Sequence, residues 1–259
     1  MSTVQKDIEN GVAFLRLNRP DVFNSFNREM ALQFQKELNF CEQSELVRAI
    51  VVMGNGKAFC AGQDLKEVTN KDLDLSFRTL LEEHYAPIIK IIRGLKKPVI
   101  AAVDGVAAGA GANIALACDV VLASERTSFI QVFSGIGLVP DSGGTFFLPR
   151  LIGFQKASAL AMLGDKIKAD EAERIGMIYK VFPVDAFEEE IRNIAVKMAS
   201  MPTLALVLIK QALNASMTNS LEEQLKLETE LQLQASESND YEEGVTAFLQ
   251  KRKPNFKGN

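Results

Sequence analysis

Hydrophobic and polar positions alternate along residues 4–8 and 12–17, on either side of Glu9, Asn10 and Gly11. Alternation with a period of two predicts strands with one buried face, and an Asn-Gly pair between them predicts a tight hairpin turn. Further along, short runs are apolar at almost every position, which indicates strands buried on both faces. These runs cover residues 49–53, 98–103 and 120–123, and a further strand is expected over 128–132.

Between these strands the apolar positions recur with helical spacing. Asn27 is suited to cap an amphipathic helix that runs to about residue 41, and Gly94 is suited to end a long helix over residues 72–94. A short helix of small residues is expected over 112–118. Strands that alternate with helices predict an α/β fold whose sheet is covered on both faces.

After about residue 183 the pattern changes to helices alone. Ser220 and Glu223 form a capping-box pattern at the start of one of these helices. We therefore divide the chain into an α/β part over residues 1–183 and a helical C-terminal part over 184–259, which packs on the first part or on a neighbouring subunit. The predicted helices cover residues 185–200, 203–216, 220–235 and 240–251.

Composition narrows the function classes. The chain is 47% hydrophobic and 24% charged with a net charge of −4, an ordinary globular mixture that gives no sign of nucleic-acid binding. Three cysteines without paired spacing are typical of free thiols in a reducing compartment. Because no signal-like N-terminal region and no apolar run of membrane-spanning length is found, the sequence predicts a soluble cytoplasmic protein. The single histidine, His84, disfavours histidine-based zinc sites and triads, and we expect it to be structural.

One carboxylate lies in an unusual local sequence. Asp141 lies between Pro140 and a Ser-Gly-Gly turn, within the segment of residues 137–145. Its neighbours are largely apolar, and a carboxylate held against apolar groups tends to have a raised pKa and to act as an acid or base. The alternative is a turn aspartate that caps a helix beginning near Ser142.

Two glycine-containing turns follow predicted strands. The first is Phe59-Cys-Ala-Gly-Gln-Asp-Leu65, and the second, residues 104–113, opens the short helix of small residues. Gly109-x-Gly111 is weak evidence for a dinucleotide site, because the third glycine is replaced by Ile114. A better interpretation is an oxyanion hole, in which two main-chain N–H groups from separate turns bind one oxygen. The alternative is that these glycines only permit close packing of helix against sheet.

The three segments over residues 59–65, 105–119 and 137–150 resemble those of the crotonase (enoyl-CoA hydratase/isomerase) superfamily. The resemblance extends over essentially the whole chain, from Asn18-Arg19-Pro20 to the helical tail. It implies a crotonase-type (ClpP-like) α/β spiral of ββα units with a helical C-terminal trimerisation region. It also implies that the oxyanion N–H groups belong to Gln63 and Ala110. The residues that it places at the coenzyme A and acyl sites are Val22, Phe23, Ala61, Asp64, Leu65, Lys66, Gly109, Phe133, Phe248 and Lys251.

The departures from the family pattern are also informative. Hydratases of this family use two glutamates, and the equivalent positions here hold Asn113 and Phe133, neither of which can move a proton. Asp141 occupies a position at which hydratases usually have glycine. The sequence therefore resembles a narrower branch, the ring-1,2-epoxyphenylacetyl-CoA isomerases of aerobic phenylacetate breakdown. This resemblance implies an acyl-CoA isomerase that shifts a double bond or converts the ring epoxide to its oxepin isomer, with Asp141 as acid and base.

Two other enzymes and one non-enzyme remain open at this point. A hydratase-like enzyme could use Asp141, and so could an aryl-CoA dehalogenase-like enzyme in which Asp141 attacks the ring and His84 assists. A CoA-ester-binding subunit without activity is the third alternative. The resemblance implies an acyl-CoA substrate, no separate cofactor because coenzyme A enters with the substrate, and a homotrimer or a hexamer of paired trimers. It also leaves open whether Phe248 and Lys251 act within one subunit or across a boundary. Phe133, Phe146 and Phe147 are candidates for an apolar acyl pocket or plain core.

Overall fold

The computed structural model describes residues 2–70, 72–73 and 75–259. Two sheets form its centre, as the alternation of strands and helices predicts. The strands are β1 (Val4–Glu9), β2 (Val12–Leu17), β3 (Ala49–Gly54), β4 (Ala58–Cys60), β5 (Val99–Val103), β6 (Val106–Ala108), β7 (Val120–Ser124), β8 (Ser128–Ile130), β9 (Lys166–Lys168) and β10 (Lys180–Phe182).

The larger sheet has six strands in the order β1-β2-β3-β5-β7-β10. Strands β1 and β2 form the predicted antiparallel hairpin, and the other neighbouring strands of this sheet pair in parallel. Asn10 and Gly11 both have positive φ, 50° and 79°, which suits the tight turn between two twisted strands. The smaller sheet has the order β4-β6-β8-β9, and it lies beside the first.

Helices connect the parallel strands and form the C-terminal part. Most begin and end within a few residues of the predicted bounds, and Asn27 caps the first helix through a bond from the Met30 N–H at 3.0 Å. The helices are α1 (Arg28–Gln43), α2 (Leu65–Val68), α3 (Phe77–Thr79), α4 (Ala86–Gly94), α5 (Ala110–Leu116), α6 (Gly144–Ile152), α7 (Phe154–Leu163), α8 (Ala169–Arg174), α9 (Phe187–Ala199), α10 (Thr203–Ser216), α11 (Leu221–Ser236) and α12 (Asn239–Leu249).

The helix predicted over residues 72–94 is shorter than expected at its start. Ser76 caps it, because its hydroxyl accepts a hydrogen bond from the Thr79 N–H at 3.0 Å. The helix then continues from α3 through a π-helical segment (Leu80–Tyr85) into α4. Residue 74 of the predicted range lies outside the described residues. The extra residue per turn in a π segment rotates the side chains that follow it, and such segments are frequent at functional sites.

Both faces of the larger sheet are covered. On one face β2, β3 and β5 pack with α1, α4 and α5 in the main core, and on the other face α9 buries an apolar stripe against the same strands. The stripe contains Phe187, Ile191, Ala195 and Ala199, which recur every four residues as a helix face requires. The division of the chain at residues 183 and 184 stays a prediction.

The three helices after α9 leave apolar surface exposed. Lys210 of α10 fastens this region to the core, because its Nζ lies 2.9 Å from an Asp119 carboxylate oxygen and also donates to the Ile92 carbonyl. Elsewhere α10 and α11 border an open groove of about 760 Å³. Side chains such as Leu213, Leu225 and Leu233 are more than half exposed. In the described chain, no single helix is both long enough and apolar enough to span a membrane. Taken together, α9 and α10 have that length and apolarity, but the pair is bent by 99° and is the only such pair among the described residues.

Candidate active site

The first element of the site is the turn after β4. Gly62 adopts φ +94°, a conformation that residues with a Cβ rarely accept. Its carbonyl accepts from the Phe26 N–H at 2.7 Å, and the Asp64 N–H donates to the Phe26 carbonyl at 2.8 Å. These two bonds fix the peptides on either side of Gln63. Within the described chain, the Gln63 N–H itself has no acceptor.

The second element is the start of α5. Gly109 has φ +52°, and its N–H donates to the Ile130 carbonyl at 2.9 Å, so the turn is anchored to β8. Helix α5 begins at Ala110, whose N–H belongs to the first helical turn and therefore has no partner inside the helix. The ring of Phe133 packs against the turn, 3.7 Å from the position that a Cβ on Gly109 would occupy.

The two turns are in contact. A Cβ placed on Gly62 would lie 3.5 Å from the Ala110 nitrogen and 3.0 Å from the Ala108 carbonyl oxygen. A Cβ on Gly111 would lie 2.4 Å from the carbonyl oxygen of Cys60. The glycines thus serve both interpretations that the sequence allowed, because they permit close packing and also bring two main-chain N–H groups to one small region. Two such donors can bind a single developing oxyanion.

The third element is the Asp141 turn before α6. Ser142 and Gly143 are both left-handed, with φ of 52° and 75°, and the Gly144 N–H donates back to the Asp141 carbonyl at 2.8 Å. Helix α6 begins at Gly144 and has no side-chain cap. The interpretation of Asp141 as a helix cap is therefore wrong.

Asp141 itself is half-buried. Burial raises the pKa of its carboxyl above the ordinary value of 3.8, and a hydrogen bond from the Ser142 hydroxyl at 2.8 Å opposes the shift. The turn is wedged between helices: a Cβ on Gly143 would lie 2.7 Å from the Phe147 ring and 3.8 Å from Ile89 of α4. A carboxyl with a raised pKa is suited to proton transfer at a carbon next to a carbonyl.

Asn113 connects the second and third elements. It is fully buried on α5, one turn after Ala110, and its Nδ2 donates to the Asp141 carbonyl at 2.9 Å. Its Oδ1 accepts from Nε2 of Gln131 at 2.8 Å. Both polar atoms of this side chain are therefore engaged with protein groups.

Sequence reasoning missed Tyr85 altogether. Its hydroxyl donates to Oε1 of Gln63 at 2.7 Å, and the ring is buried. Burial raises the pKa of Tyr85 well above its ordinary value, and the charges of Cys60 and Asp141 act in the same direction. Tyr85 lies one helical turn before Ile89, which faces the Asp141 turn. The π segment sets the direction of the Tyr85 side chain, and no pattern in the sequence predicts that segment.

A family model for enoyl-CoA hydratase/isomerase matches residues 7–259. The chain belongs to the enoyl-CoA hydratase/isomerase family. It is 43% identical to the protein named 1,2-epoxyphenylacetyl-CoA isomerase of Escherichia coli, over 100% of this chain and 99% of that one. It is also 43% identical to a protein named probable enoyl-CoA hydratase of Rhodobacter capsulatus, over 99% and 98% of the two chains.

Solved structures agree with this assignment. The crystal structure of an enoyl-CoA hydratase from Bacillus anthracis superposes with a TM-score of 0.92 at 32% identity, and it covers 99% of this chain and 100% of that chain. The crotonase-type α/β fold with C-terminal helices is thereby confirmed. As an enoyl-CoA hydratase/isomerase family member, the protein is an enzyme of the superfamily that acts on acyl-CoA.

Most residues that the family resemblance placed at the coenzyme A site lie together. The loop of Val22 and Phe23 meets the Gly62 turn, where the Ala61 N–H donates to the Phe23 carbonyl at 3.0 Å. Arg19 pairs with the Asp64 carboxylate at 2.8 Å, which ties the same two loops. Phe23 is half exposed at the rim of this arrangement. Leu65 and Lys66, which follow on α2, are exposed beside it.

Phe248 and Lys251 lie elsewhere in this enoyl-CoA hydratase/isomerase. Both are at the C-terminal end of α12, where Phe248 is 82% exposed. Among the hydrogen bonds and ion pairs of the described residues, none joins the Lys251 side chain to the loops around Gly62. A role for Phe248 and Lys251 at the coenzyme A site stays a prediction.

His84 contacts Arg28 of α1. It is buried on the π segment, and its Nε2 lies 3.2 Å from a guanidinium nitrogen of Arg28. Burial, followed by the nearby Arg28 charge, lowers the pKa of the imidazole, so it is held neutral. In the part of the chain that the structure describes, its Nδ1 has no hydrogen-bond partner.

Proposed function

We propose that this protein is an acyl-CoA isomerase in which the N–H groups of Gln63 and Ala110 bind the thioester oxygen and Asp141 carries the proton. The Asp141 carboxylate takes a proton from the α-carbon, and the electron pair of that C–H bond moves towards the thioester to form an enolate. The two N–H groups stabilise the enolate oxygen. In a substrate whose double bond joins the β- and γ-carbons, the enolate is conjugated with that double bond and takes the proton back from Asp141 at the γ-carbon, so the double bond moves to the α- and β-carbons and the carboxylate is regenerated.

The observation that carries this proposal is the half-buried Asp141 turn, joined by Asn113 to the helix that begins with the open Ala110 N–H. A single carboxyl suffices, because it acts first as base and then as acid. The finer substrate, a ring epoxide of phenylacetyl-CoA that becomes its oxepin isomer, is supported by the name of the Escherichia coli relative at 43% identity. Phe133, against the Gly109 turn, and Phe147, against Gly143, supply apolar walls for an aromatic acyl group.

Hydratase activity is the second candidate, since the equally similar Rhodobacter capsulatus relative is named for it. Water addition by this family, as the resemblance implies, needs two acids to hold and split the water. At the two equivalent positions here, both polar atoms of the Asn113 side chain are hydrogen-bonded to Asp141 and Gln131, and Phe133 is buried and apolar. Isomerase activity is therefore the better supported of the two. For a dehalogenase, the position of His84 against Arg28 is an unsuitable one.

The assembly belongs to the same proposal. The exposed apolar side chains of α10, α11 and α12 suit the interface of a homotrimer, with a dimer of trimers as the larger form. In such an assembly Phe248 and Lys251 reach the coenzyme A site of a neighbouring subunit rather than their own. The substrate chemistry and the composition are those of a cytoplasmic enzyme.

The proposal is tested with Asp141→Asn, which keeps the shape of the side chain and removes its basicity. We expect isomerisation of an enoyl-CoA to fall by about 10²- to 10⁴-fold, the usual contribution of a general acid–base group. Binding of the CoA ester, measured by calorimetry, should remain within a few-fold. Asp185→Asn, at an exposed turn, is the matched control and should leave the rate unchanged.

Exchange of the substrate α-proton in D₂O, followed by NMR, isolates the first step. Asp141→Asn should abolish the exchange together with turnover. Retained turnover in this variant would remove Asp141 from the mechanism. Formation of a 3-hydroxyacyl-CoA as the main product would assign the protein to the hydratases instead.

A further inference from the structure

The backbone beside Asp141 is strained. Ser142 adopts φ +52° although it is not a glycine, and Gly143 follows at φ +75°. A left-handed conformation is unfavourable for a residue with a Cβ and persists only where surrounding contacts enforce it. Something outside the turn must therefore hold this conformation in place.

Two donors share the main-chain carbonyl of Asp141. The Gly144 N–H, at 2.8 Å, belongs to the turn itself, whereas Nδ2 of Asn113, at 2.9 Å, comes from α5. Asn113 is pressed tightly against the turn, since a Cβ on Gly144 would lie 2.3 Å from that nitrogen. Asn113 thus ties the turn by a hydrogen bond to the helix that begins at Ala110.

The direction of this contact also determines the orientation of the next residue. A carbonyl oxygen can only accept, so Asn113 must present its nitrogen to Asp141 and its Oδ1 to the other side. Gln131 faces that oxygen and must present Nε2, at 2.8 Å. Asp141, Asn113 and Gln131 therefore form one chain of hydrogen bonds with a single allowed direction.

Gln131 is a buried polar side chain, and Oδ1 of Asn113 accepts its side-chain hydrogen bond. Its side chain is 3% exposed, and among the described residues nothing donates a hydrogen bond to its Oε1. An apolar residue of similar volume would remove this unpaired acceptor, but it would also leave Oδ1 of the fully buried Asn113 without its donor, so one unpaired acceptor would be exchanged for another and one hydrogen bond lost. The cavity beside Gln131 is lined by apolar side chains such as Leu148 and by the hydroxyl-bearing residues Thr145 and Ser158.

From these contacts we infer that Gln131 and Asn113 are positioning residues, which hold the main chain of Asp141 so that its carboxyl points at the substrate α-carbon. This inference rests on the proposed function of Asp141. Neither residue touches the reacting atoms. Their effect passes through the Asp141 carbonyl to the direction of its Cα–Cβ bond.

Gln131→Met tests the inference, with Gln131→Leu as a second variant of similar volume. Each removes the donor to Asn113 and leaves Asp141 unchanged. We expect kcat to fall about 10- to 100-fold, as for a misplaced catalytic group, while KM stays within about twofold. The melting temperature should fall modestly, because Oδ1 of the buried Asn113 loses its donor, and a control that loses another buried side-chain hydrogen bond should show a similar fall.

Two further measurements separate positioning from general destabilisation. A carboxyl released from its fixed place becomes more hydrated, so the pKa of Asp141 should move down towards 3.8, both in the pH profile of kcat and in a ¹³C NMR titration of the carboxyl. The Gln131 variants keep Tyr85, and the Asp141 charge also raises the pKa of that tyrosine. Thr127→Val is the matched control, because it removes a buried hydrogen bond to the Val103 carbonyl and should alter neither kcat nor the carboxyl titration.

The outcomes distinguish a failure of the positioning inference from a failure of the proposed function. If Asp141→Asn is inactive while both Gln131 variants keep the kcat and carboxyl pKa of the unaltered enzyme, the positioning inference is wrong and the proposed function stands. If Asp141→Asn remains active, the proposed function fails first, and the NMR titration still reports whether Gln131 acts on Asp141. A fall in kcat without any change in the carboxyl titration would also overturn the inference.

Discussion

The hydroxyl of Tyr85 donates a hydrogen bond to Oε1 of Gln63 over 2.7 Å. The two residues are 22 positions apart and come from different elements, the π segment before α4 and the turn after β4. The other side-chain atom of this amide, Nε2, donates to a Glu67 carboxylate oxygen at 3.1 Å. Both ends of the side chain are therefore held, which stabilises the conformation of the turn that presents the Gln63 N–H.

Tyr85→Phe should weaken catalysis without abolishing it. The change removes one neutral hydrogen bond, worth about 0.5–1.5 kcal/mol, and leaves the ring packing intact. We expect kcat/KM to fall about 3- to 10-fold, because the Gly62 turn loses one of its supports. Steady-state kinetics measures this, and Tyr179→Phe, at an exposed tyrosine, is the control that should show no change. Equal activity of the two variants would mean that Tyr85 is only a core residue.

The activity should have an acidic limit set by Asp141. Burial raises the pKa of this carboxyl above 3.8, and proton removal requires the ionised form. As the pH falls through this raised pKa, kcat/KM should decline, and it should do so at a higher pH than for an ordinary aspartate. A pH–rate profile with an isomerisation assay checks this. An acidic limit near 3.8 would show that burial does not act on the group.

The stability of Asp141→Asn should exceed that of the unaltered protein at neutral pH. A carboxyl whose folded pKa is raised contributes stability fully only below its unfolded pKa, and that contribution is lost as the pH rises through the folded value. At pH 7 the folded protein therefore holds a partly desolvated charge, which the amide replacement removes. Urea unfolding at pH 7 should show a higher free energy of unfolding for the variant. A lower value would contradict the direction of the pKa shift.

Gly62→Ala should reduce activity strongly. The alanine would have to adopt φ +94°, and its Cβ would lie 3.0 Å from the Ala108 carbonyl oxygen and 3.5 Å from the Ala110 nitrogen. We expect a cost of about 1–3 kcal/mol in folding free energy from the strain and a loss of about 10²- to 10³-fold in kcat from a displaced N–H donor. Thermal unfolding and kinetics measure the two effects.

Gly94→Ala is the matched control for this substitution. A Cβ on Gly94 would meet no described atom within 4 Å, and its φ is not positive. At the end of α4, alanine should stabilise the protein by about 0.5–1 kcal/mol at most and leave activity unchanged. Similar losses in both variants would mean that Gly62 has no special role at the site.

The three cysteines should be unreactive in the folded protein. Burial raises the pKa of Cys41 to about 11 and those of Cys60 and Cys118 to about 12. At pH 8 the thiolate fraction of Cys41 is then only about one part in a thousand, and the thiolate is the form that alkylates. Iodoacetamide at pH 8 should modify none of the thiols until urea is added, as mass spectrometry would show. Rapid modification of any cysteine in the native protein would disagree with its burial.

The local elements were largely predictable because their signals are local. Asn27 and Ser220 cap helices where the sequence indicates, and the Asn10-Gly11 turn joins β1 to β2. The prediction failed where the chain departs from regular helix. The helix expected from residue 72 begins only after the Ser76 cap, and its π segment has no sequence pattern of its own.

The sequence by itself determined the α/β class, the two glycine turns and Asp141, because periodicity, turn residues and a carboxylate among apolar neighbours are properties of short segments. Only the tertiary structure decided that Tyr85 reaches Gln63 and that Gln131 orients Asn113 towards the Asp141 carbonyl. These pairs are 18 to 28 positions apart. Contacts over that separation depend on how helices pack against the two sheets, and a hydrogen bond exists only once that packing fixes its distance and direction.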